Sequence, residues 1–187
     1  MADLIARTRD LIGDPVIAGN VPPVVWSDQI IQDALDKERQ DVTFSEFREL
    51  IGTWTIVAGA TSWLDYYDPY GFGDWEADTV LINGALAQLT TTVQDYLTGH
   101  WTFAANQVPP VYVVGKTFDI YASARTLVLR WAALEARNFD IGTGRGETAM
   151  RSQKQKGLLA LADQLAVEMR PRVAKLVRRD VYGAYSY

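Results

Sequence analysis

Closely spaced carboxylates are the residues of this chain whose type and spacing come nearest to catalysis. Three pairs occur within a few positions of each other: Asp65 and Asp68, Asp74 and Glu76, and Glu46 and Glu49. A glycoside hydrolase needs two carboxyl groups at a defined separation in a cleft. These carboxylates fall among turn residues, where aspartate is favoured for hydrogen bonds to nearby backbone, and the D-x-x-D-P spacing is not that of an EF-hand. The pattern favours solvated loops, and a small hydrolase using Asp65, Asp74 or Glu76 stays as the third of three alternatives.

The chain lacks the residues needed for a zinc site or for nucleophilic catalysis. His100 is the sole histidine, and there is no cysteine, so a zinc site of ordinary composition cannot be built. A Ser-His-Asp triad would need His100, and no G-x-S-x-G turn supplies its nucleophile, so we interpret His100 as a structural strand residue. The glycine-rich run 142–146 follows a helix and lacks the Lys-Ser/Thr of a phosphate loop. We predict no catalytic residue, no metal site and no cofactor.

Aromatic residues are concentrated in one short stretch of the chain. Large aromatics beside glycine loops form a core, stack on sugars or fill a partner's pocket. We expect part of this cluster to build the core of a β region and part to face a neighbouring chain, either another subunit or a partner protein. A carbohydrate- or surface-binding module is the second alternative. The cluster comprises Trp63, Tyr66, Tyr67, Tyr70, Phe72 and Trp75.

Charge divides the chain into two unequal parts. Residues 1–150 hold ten Lys and Arg against twenty Asp and Glu, a net charge of −10, whereas residues 151–187 hold eight against three, a net charge of +5. Such a split is typical of a segment that docks on another molecule, and tyrosines are favoured at interfaces. The predicted partner-binding residues are Arg170, Arg172, Lys175, Arg178, Arg179, Tyr182, Tyr185 and Tyr187.

The bulk properties bound the class of protein. A chain of 187 residues with 48% hydrophobic residues has the size of one domain with a sizeable core. Its net charge of −5 argues against a general nucleic-acid binder. Charges at Asp3, Arg7, Arg9 and Asp10 interrupt any signal-peptide pattern, and no run has the length of a membrane helix. We therefore expect the chain to be made soluble and to stay in the cytoplasm unless it is assembled into a larger structure.

Periodicity predicts helices at both ends of the chain and strands between them. Helices are expected over 3–12, from Ser27 as N-cap to about Gln40, over 120–138 with Asp119 as N-cap, and from about 148–152 to Pro171. Strands are expected over Val42–Leu50, Thr53–Val57, Trp63–Tyr67, Trp75–Ile82 and Val111–Phe118, with 83–100 left ambiguous between a helical turn and other structure. The predicted fold is α+β: a small bundle of about four helices (1–41 and 119–170) with an inserted antiparallel β subdomain (42–118) and an extended C-terminal tail (171–187).

The order of these segments resembles the head–tail adaptor, or connector, proteins of tailed bacteriophages. The resemblance covers about residues 1–50 and 117–180. It is carried by LIARTRDLIGDP, WSDQIIQDALDKERQDV, FDIYASARTLVLRWAALEARNFDI and RSQKQKGLLALADQLAVEMRP. The region 52–118 departs from the family in being larger and richer in aromatic residues than in its smallest members.

This resemblance implies a non-enzymatic structural protein of the virion neck. Family members form a ring, usually of twelve copies, that binds the portal on one face and the stopper or tail protein on the other. DNA passes through the lumen of the ring without specific binding, and no membrane is involved. The C-terminal segment of the family commonly reaches into the portal, a role that would fall here on Pro171–Tyr187.

Overall fold

The structure is a computed structural model, and it describes residues 1–14, 25–44, 48–57, 60–136 and 151–170. Four helices lie in these ranges: α1 Ala2–Ile12, α2 Asp28–Lys37, α3 Ile120–Glu135 and α4 Arg151–Glu168. Nine strands lie between α2 and α3: β1 Arg39–Val42, β2 Arg48–Glu49, β3 Ile51–Val57, β4 Ala60–Tyr67, β5 Val80–Asn83, β6 Gln88–Leu89, β7 Val93–Asp95, β8 His100–Thr102 and β9 Val111–Phe118. No helix within these ranges is long and apolar enough to span a bilayer.

The four helices share one core, which we call the helical unit. Helix α3 is central, because α1, α2 and α4 all pack against it. The predicted caps of α2 and α3 are confirmed: Ser27 accepts from the amide of Ile30, and Asp119 accepts from the amide of Ala122. Among the side chains that fill this core are Ile12, Ile31, Leu35, Phe118, Ile120, Ala124, Leu127 and Ala162.

The strands form two antiparallel sheets, which we call the β unit. In one sheet β9 is central: β1 and β2 pair with successive parts of one edge of β9, and β5 pairs with the other edge and carries β6. The second sheet has the order β3-β4-β8-β7. A second core lies in this unit and contains Val42, Leu50, Tyr66, Trp75, Leu81, Trp101, Phe103, Val111 and Val113.

The predicted fold, a small helical bundle with an inserted β subdomain, is wrong. The β region is not a small insertion on a helical bundle, since it contains two sheets of nine strands and its own core. Short strands account for the error. The segment 83–100, left ambiguous, contains β6 and β7 and begins β8 at His100, and these strands are two or three residues long. Runs this short show too little alternation to be recognised as strands.

Two other predicted elements have different boundaries in the structure. Helix α2 ends at Lys37, before the predicted Gln40, because Gln40 pairs with Thr117 in β9. The predicted strand Trp75–Ile82 is interrupted by a turn in which both the amide and the hydroxyl of Thr79 donate to the carbonyl of Glu76. Strand β9 matches its prediction at both ends.

Each unit buries one arginine among carboxylates. In the helical unit, Arg9 donates to Asp14 at 3.1 Å and to Asp28 at 2.6 Å. In the β unit, Arg48 donates to Asp68 at 2.7 Å, and the Asp68 side chain is fully buried. A buried ion pair is weak evidence for net stability, but removing one partner alone is costly.

Candidate interaction surfaces

Tyr66 and Trp75, from the predicted aromatic cluster, lie in the β core. Tyr66 is fully buried and its ring meets Phe103 edge-on, with centroids 5.6 Å apart. Trp75 is 3% exposed, and its indole N–H donates to the carbonyl of Phe72 at 2.9 Å. These aromatics therefore stabilise the fold, and their ring faces are not offered to a ligand.

Phe72 and Tyr70 lie at the edge of the β unit beside arginines. Their rings stack with centroids 5.6 Å apart, and the guanidinium of Arg48 lies 5.1 Å from the Tyr70 ring and 5.2 Å from the Phe72 ring. The guanidinium of Arg170 lies 4.6 Å from the Phe72 ring. Tyr70 is 67% exposed. Of the predicted cluster, Tyr70 is thus the member with the most surface available to a partner.

His100 lies beside a carboxylate and a hydroxyl, without the geometry of a catalytic triad. Its Nε2 is 3.3 Å from Asp65 Oδ1, and its ring stacks on Tyr67 with centroids 4.2 Å apart. The hydroxyl of Thr102 donates to that same Asp65 oxygen at 2.8 Å. In a triad the hydroxyl would donate to the imidazole and the carboxylate would hold the far ring nitrogen. The arrangement instead joins cross-strand pairs of β4 and β8, as the structural interpretation of His100 predicts.

The other carboxylates of the hydrolase alternative are held in ion pairs. Asp74 bonds Arg7, Asp68 bonds Arg48, and Glu76 lies 3.2 Å from Lys116 Nζ. Glu46 lies outside the described residues. Within the described ranges, no group of three or more His, Asp and Glu side chains could hold a metal ion.

The most exposed apolar element of the β unit is the hairpin of β3 and β4. Strand β4 pairs with β8 only from Asp65 to Tyr67, and β3 lies at the edge of its sheet. We call the outer part of the hairpin, residues 54–57 and 60–63, the arm. Its base is held at Trp63, whose backbone also bonds Asn106 and Gln107, and beyond that point it is a two-stranded ribbon. Trp54 is 58% exposed and Ile56 is 68% exposed on it.

One face of the arm continues the β core outwards. Cross-strand partners share a face, and here Trp54 pairs with Trp63 and Ile56 with Thr61. The preceding pair on this face is Gly52 with the buried Tyr66. A Cβ at Gly52 would lie 2.8 Å from the Tyr66 ring, so glycine is what lets that ring pack inward. The arm thus presents an apolar ladder that begins in the core and ends in solvent.

The predicted aromatic cluster missed Trp54 and Ile56, but two sequence signals mark this region. Residues 50–64 contain no charged residue. Residues 49–115 contain seven Asp and Glu and no Lys or Arg. An uncharged hairpin in an otherwise acidic unit is the pattern expected of an element that buries itself in a partner, because core positions of interfaces are depleted of charge.

A cluster of charges joins the helical unit to the β unit where the described chain ends. The amide of Arg170 donates to Asp119 Oδ2 at 3.0 Å, and its guanidinium donates to the carbonyl of Gly73 at 2.6 Å. Asp74 bonds Arg7 of α1 and lies 3.9 Å from the Arg170 guanidinium. We call these residues the junction. It ties Arg170, the last residue that the structure describes, to both units.

Burial sets the protonation behaviour of the junction. Burial raises the pKa of Asp74, and the neighbouring Arg7 and Arg170 offset part of that rise. Burial also lowers the pKa of Arg170, against the opposing effect of Asp119 and Asp74. The charged side chains of the junction are therefore partly shielded from water, and the ion pairs between them offset part of the lost solvation.

Arg170 is the one predicted partner-binding residue of the C-terminal group that the structure describes. It is occupied within the chain, by Gly73, Asp74, Asp119 and Phe72. The others, Arg172, Lys175, Arg178, Arg179, Tyr182, Tyr185 and Tyr187, lie outside the described residues.

No known protein family, no curated protein and no solved structure matches this chain.

Proposed function

We propose that this protein is a non-enzymatic adaptor of a tailed-phage virion neck, which forms a ring between the portal and the stopper or tail protein. The observation that carries the proposal is the arm, an uncharged apolar ribbon that projects from a unit without Lys or Arg between 49 and 115. An isolated soluble domain gains nothing from exposing Trp54 and Ile56, whereas a subunit of an assembly buries them.

The basic end supplies a second contact of different chemistry. Residues 151–187 carry a net charge of +5, and the junction anchors them through Arg170 to both units. A cationic segment rich in tyrosine suits an acidic protein surface, since charge complementarity steers and orients docking. In this proposal that surface belongs to the portal.

The acidity of the β unit suits a DNA channel. Of the seven carboxylates over residues 49–115, four pair with Arg or Lys, and the other three, Glu49, Asp65 and Asp95, would repel phosphates rather than bind them. DNA would pass a ring lined by this unit without adhering to it.

A carbohydrate-binding module is the competing proposal, and the geometry gives it less support. Sugar stacking needs an open aromatic face, and Trp75 is 3% exposed within the β core. Among the exposed aromatics, Trp54 belongs to the arm and Tyr70 to the arginine-flanked edge.

The experiment is to measure the mass of the purified full chain alone and mixed with portal protein. We expect a ring-sized species and a complex with portal. A variant that combines Tyr182→Ser, Tyr185→Ser and Tyr187→Ser keeps the length and charge of the basic end. It should weaken portal binding without changing the melting temperature. A wild-type chain that stays monomeric and ignores portal would contradict the proposal.

Glycan-array binding provides the control for the competing proposal. A chain that ignores portal but binds glycans, with binding lost in Trp54→Ala, would contradict the adaptor proposal and support the module.

A further inference from the structure

We propose that residues 171–177, which we call the strap, dock in a groove between α1 and α3 of their own chain. The occupant of the groove is thus a segment of this chain that follows the described residues directly. The inference rests on the proposed function for its role and deepens it, because the portal contact of the basic end then falls on the tyrosines beyond residue 177.

The groove lies between the second half of α1 and the first turn of α3. It has a volume of about 280 Å³ and is lined by Arg7, Asp10, Leu11, Ile120 and Tyr121. Leu11 and Tyr121 pack against the helical core but stay partly exposed, so apolar surface is left open in the groove. The volume is below the range of about 300–1,000 Å³ that is typical of small-molecule pockets, and it suits a few side chains of a peptide.

Two contacts of Arg170 place the start of the strap beside this groove. The amide of Arg170 donates to Asp119 Oδ2 at 3.0 Å, and Asp119 immediately precedes Ile120 of the groove wall. The guanidinium of Arg170 lies 3.9 Å from Asp74, which in turn bonds Arg7 of the groove wall. Because a peptide bond joins the strap to Arg170, the strap begins where the groove is.

The sequence of the strap suits an apolar groove with a charged rim. Val173, Leu176 and Val177 recur at intervals of three and four, the spacing that places side chains on one face of a helix. Arg172 and Lys175 fall outside that face. The strap therefore combines an apolar face for the floor of the groove with cations for its rim.

Reach and charge favour the strap of the same chain as the occupant. Val173 is three residues after Arg170, and three residues of extended chain span up to about 10 Å. So short a link gives the strap an effective concentration on the order of millimolar at its own groove. Asp10 is exposed at the rim, and residues 171–177 carry two cations and no carboxylate. An ion pair there orients the strap, and the apolar contact holds it.

A docked strap prepares the basic end for its partner. Only residues 178–187 would then need ordering when the tyrosines bind portal, and ordering fewer residues lowers the entropy cost of binding. The strap also sets the side of the helical unit from which those tyrosines extend.

The test is disulfide trapping in the full chain, which has no cysteine of its own. The reporting pair is Asp10→Cys with Leu176→Cys, and the exposed position of Asp10 spares the core. The control pair is Ala2→Cys with Leu176→Cys, since Ala2 is exposed on α1 about 12 Å from Asp10 along the helix axis. A disulfide needs Cα atoms within about 7 Å, so we expect the reporting pair to oxidise roughly ten-fold faster than the control pair. Equal rates would overturn the inference.

Mass after oxidation shows whose strap occupies the groove. We expect the oxidised reporting pair to keep the mass of one chain. Covalent dimers, formed as fast between a chain with Asp10→Cys alone and a chain with Leu176→Cys alone, would show that the strap docks on another copy and would overturn the assignment to its own chain.

Charge-neutral substitutions test whether apolar side chains hold the strap. Adding Val173→Ser and Val177→Ser to the reporting pair should slow its oxidation roughly ten-fold, because the apolar contact is lost and the strap leaves the groove. The matched control adds Val181→Ser and Ala184→Ser, which lie beyond the strap, and should leave the rate unchanged. A rate that is insensitive to the first pair of serines would contradict docking by this face.

Portal binding separates this inference from the proposed function. The cross-linked chain should bind portal as wild type does, because the tyrosines beyond residue 177 stay free. A cross-link that abolishes the portal binding of wild type would overturn the inference and leave the adaptor proposal standing. A chain that forms the rapid cross-link but ignores portal in both its oxidised and reduced forms would support the strap and overturn the adaptor proposal.

Discussion

The helical unit and the β unit neutralise their carboxylates in different ways. The helical unit supplies its own cation, since Arg9 of α1 pairs with Asp14 and Asp28. The β unit has no Lys or Arg between 49 and 115, and its buried carboxylates take cations from beyond those limits. Asp68 takes Arg48, and Asp74 takes Arg7 and Arg170. Arg48 belongs to β2 of the β unit itself, so the β unit depends on residues outside it for the cations that pair with Asp74.

The two units also differ in what fills their cores. The largest fully buried side chains of the β unit are aromatic: Trp101, Tyr66 and Phe103. The helical unit is filled mainly by aliphatic side chains such as Ile31, Leu35 and Leu127 and by small alanines that let helices approach closely. A few large rings let a thin two-sheet unit bury enough apolar area, which makes each ring individually important.

The largest expected effect comes from deleting one of those rings. Trp101→Ala should lower the free energy of unfolding by about 3–5 kcal/mol, since Trp101 is 1% exposed and meets Trp75 edge-on. Leu35→Ala in the helical unit, also fully buried, is the matched change and should cost about 2–5 kcal/mol. Denaturant unfolding measures both. An unaltered midpoint for Trp101→Ala would show that the β core is not packed as described.

Replacing Arg48, which pairs with one carboxylate, should cost more stability than replacing Arg9, which pairs with two. Arg48→Met leaves the fully buried Asp68 without its cation and should cost about 3–5 kcal/mol. Arg9→Met should cost less, about 1–3 kcal/mol, because Asp14 still accepts from the amides of Val25 and Trp26 and the Asp28 side chain is 73% exposed.

Denaturant unfolding of both arginine variants checks this order. Adding Asp68→Leu to Arg48→Met should recover part of the loss, because it removes the unpaired buried charge. Equal losses in the two single variants would contradict the idea that the burial of the carboxylate left unpaired decides the cost.

The smallest effect is a pH dependence at the junction. Because burial raises the pKa of Asp74, the folded state holds this proton more tightly than the unfolded chain. When the pH is above the folded pKa of Asp74, its ionised carboxylate lowers the free energy of unfolding. This loss disappears as the pH falls to the ordinary carboxyl pKa. Wild type should therefore gain stability relative to Asp74→Asn as the pH falls through this window. A stability difference that is flat with pH, measured by thermal unfolding, would contradict the assignment.

The sequence predicts what is determined locally. Ser27 and Asp119 cap their helices because a short polar side chain before an apolar period is sufficient for a cap. Strand β9 is predicted to the residue, since it is long and rich in β-branched residues.

What the sequence does not predict is decided by pairing between distant segments. Trp54 and Trp75 both lie in strand-like runs, yet one is 58% exposed and the other is 3% exposed. Trp75 bridges to Thr117 and packs in the β core, whereas Trp54 pairs with Trp63 of its own hairpin. The sequence could not show which members of the aromatic cluster are buried, because the face of a strand that becomes core depends on the neighbouring sheet.

Locating the protein in a purified tailed phage particle tests the central claim most directly. We expect image reconstruction of the particle, with the chain identified by fitting its two units, to place a ring of copies between portal and tail, with each arm buried in the assembly. A particle that contains the chain elsewhere, or lacks it altogether, would contradict the account.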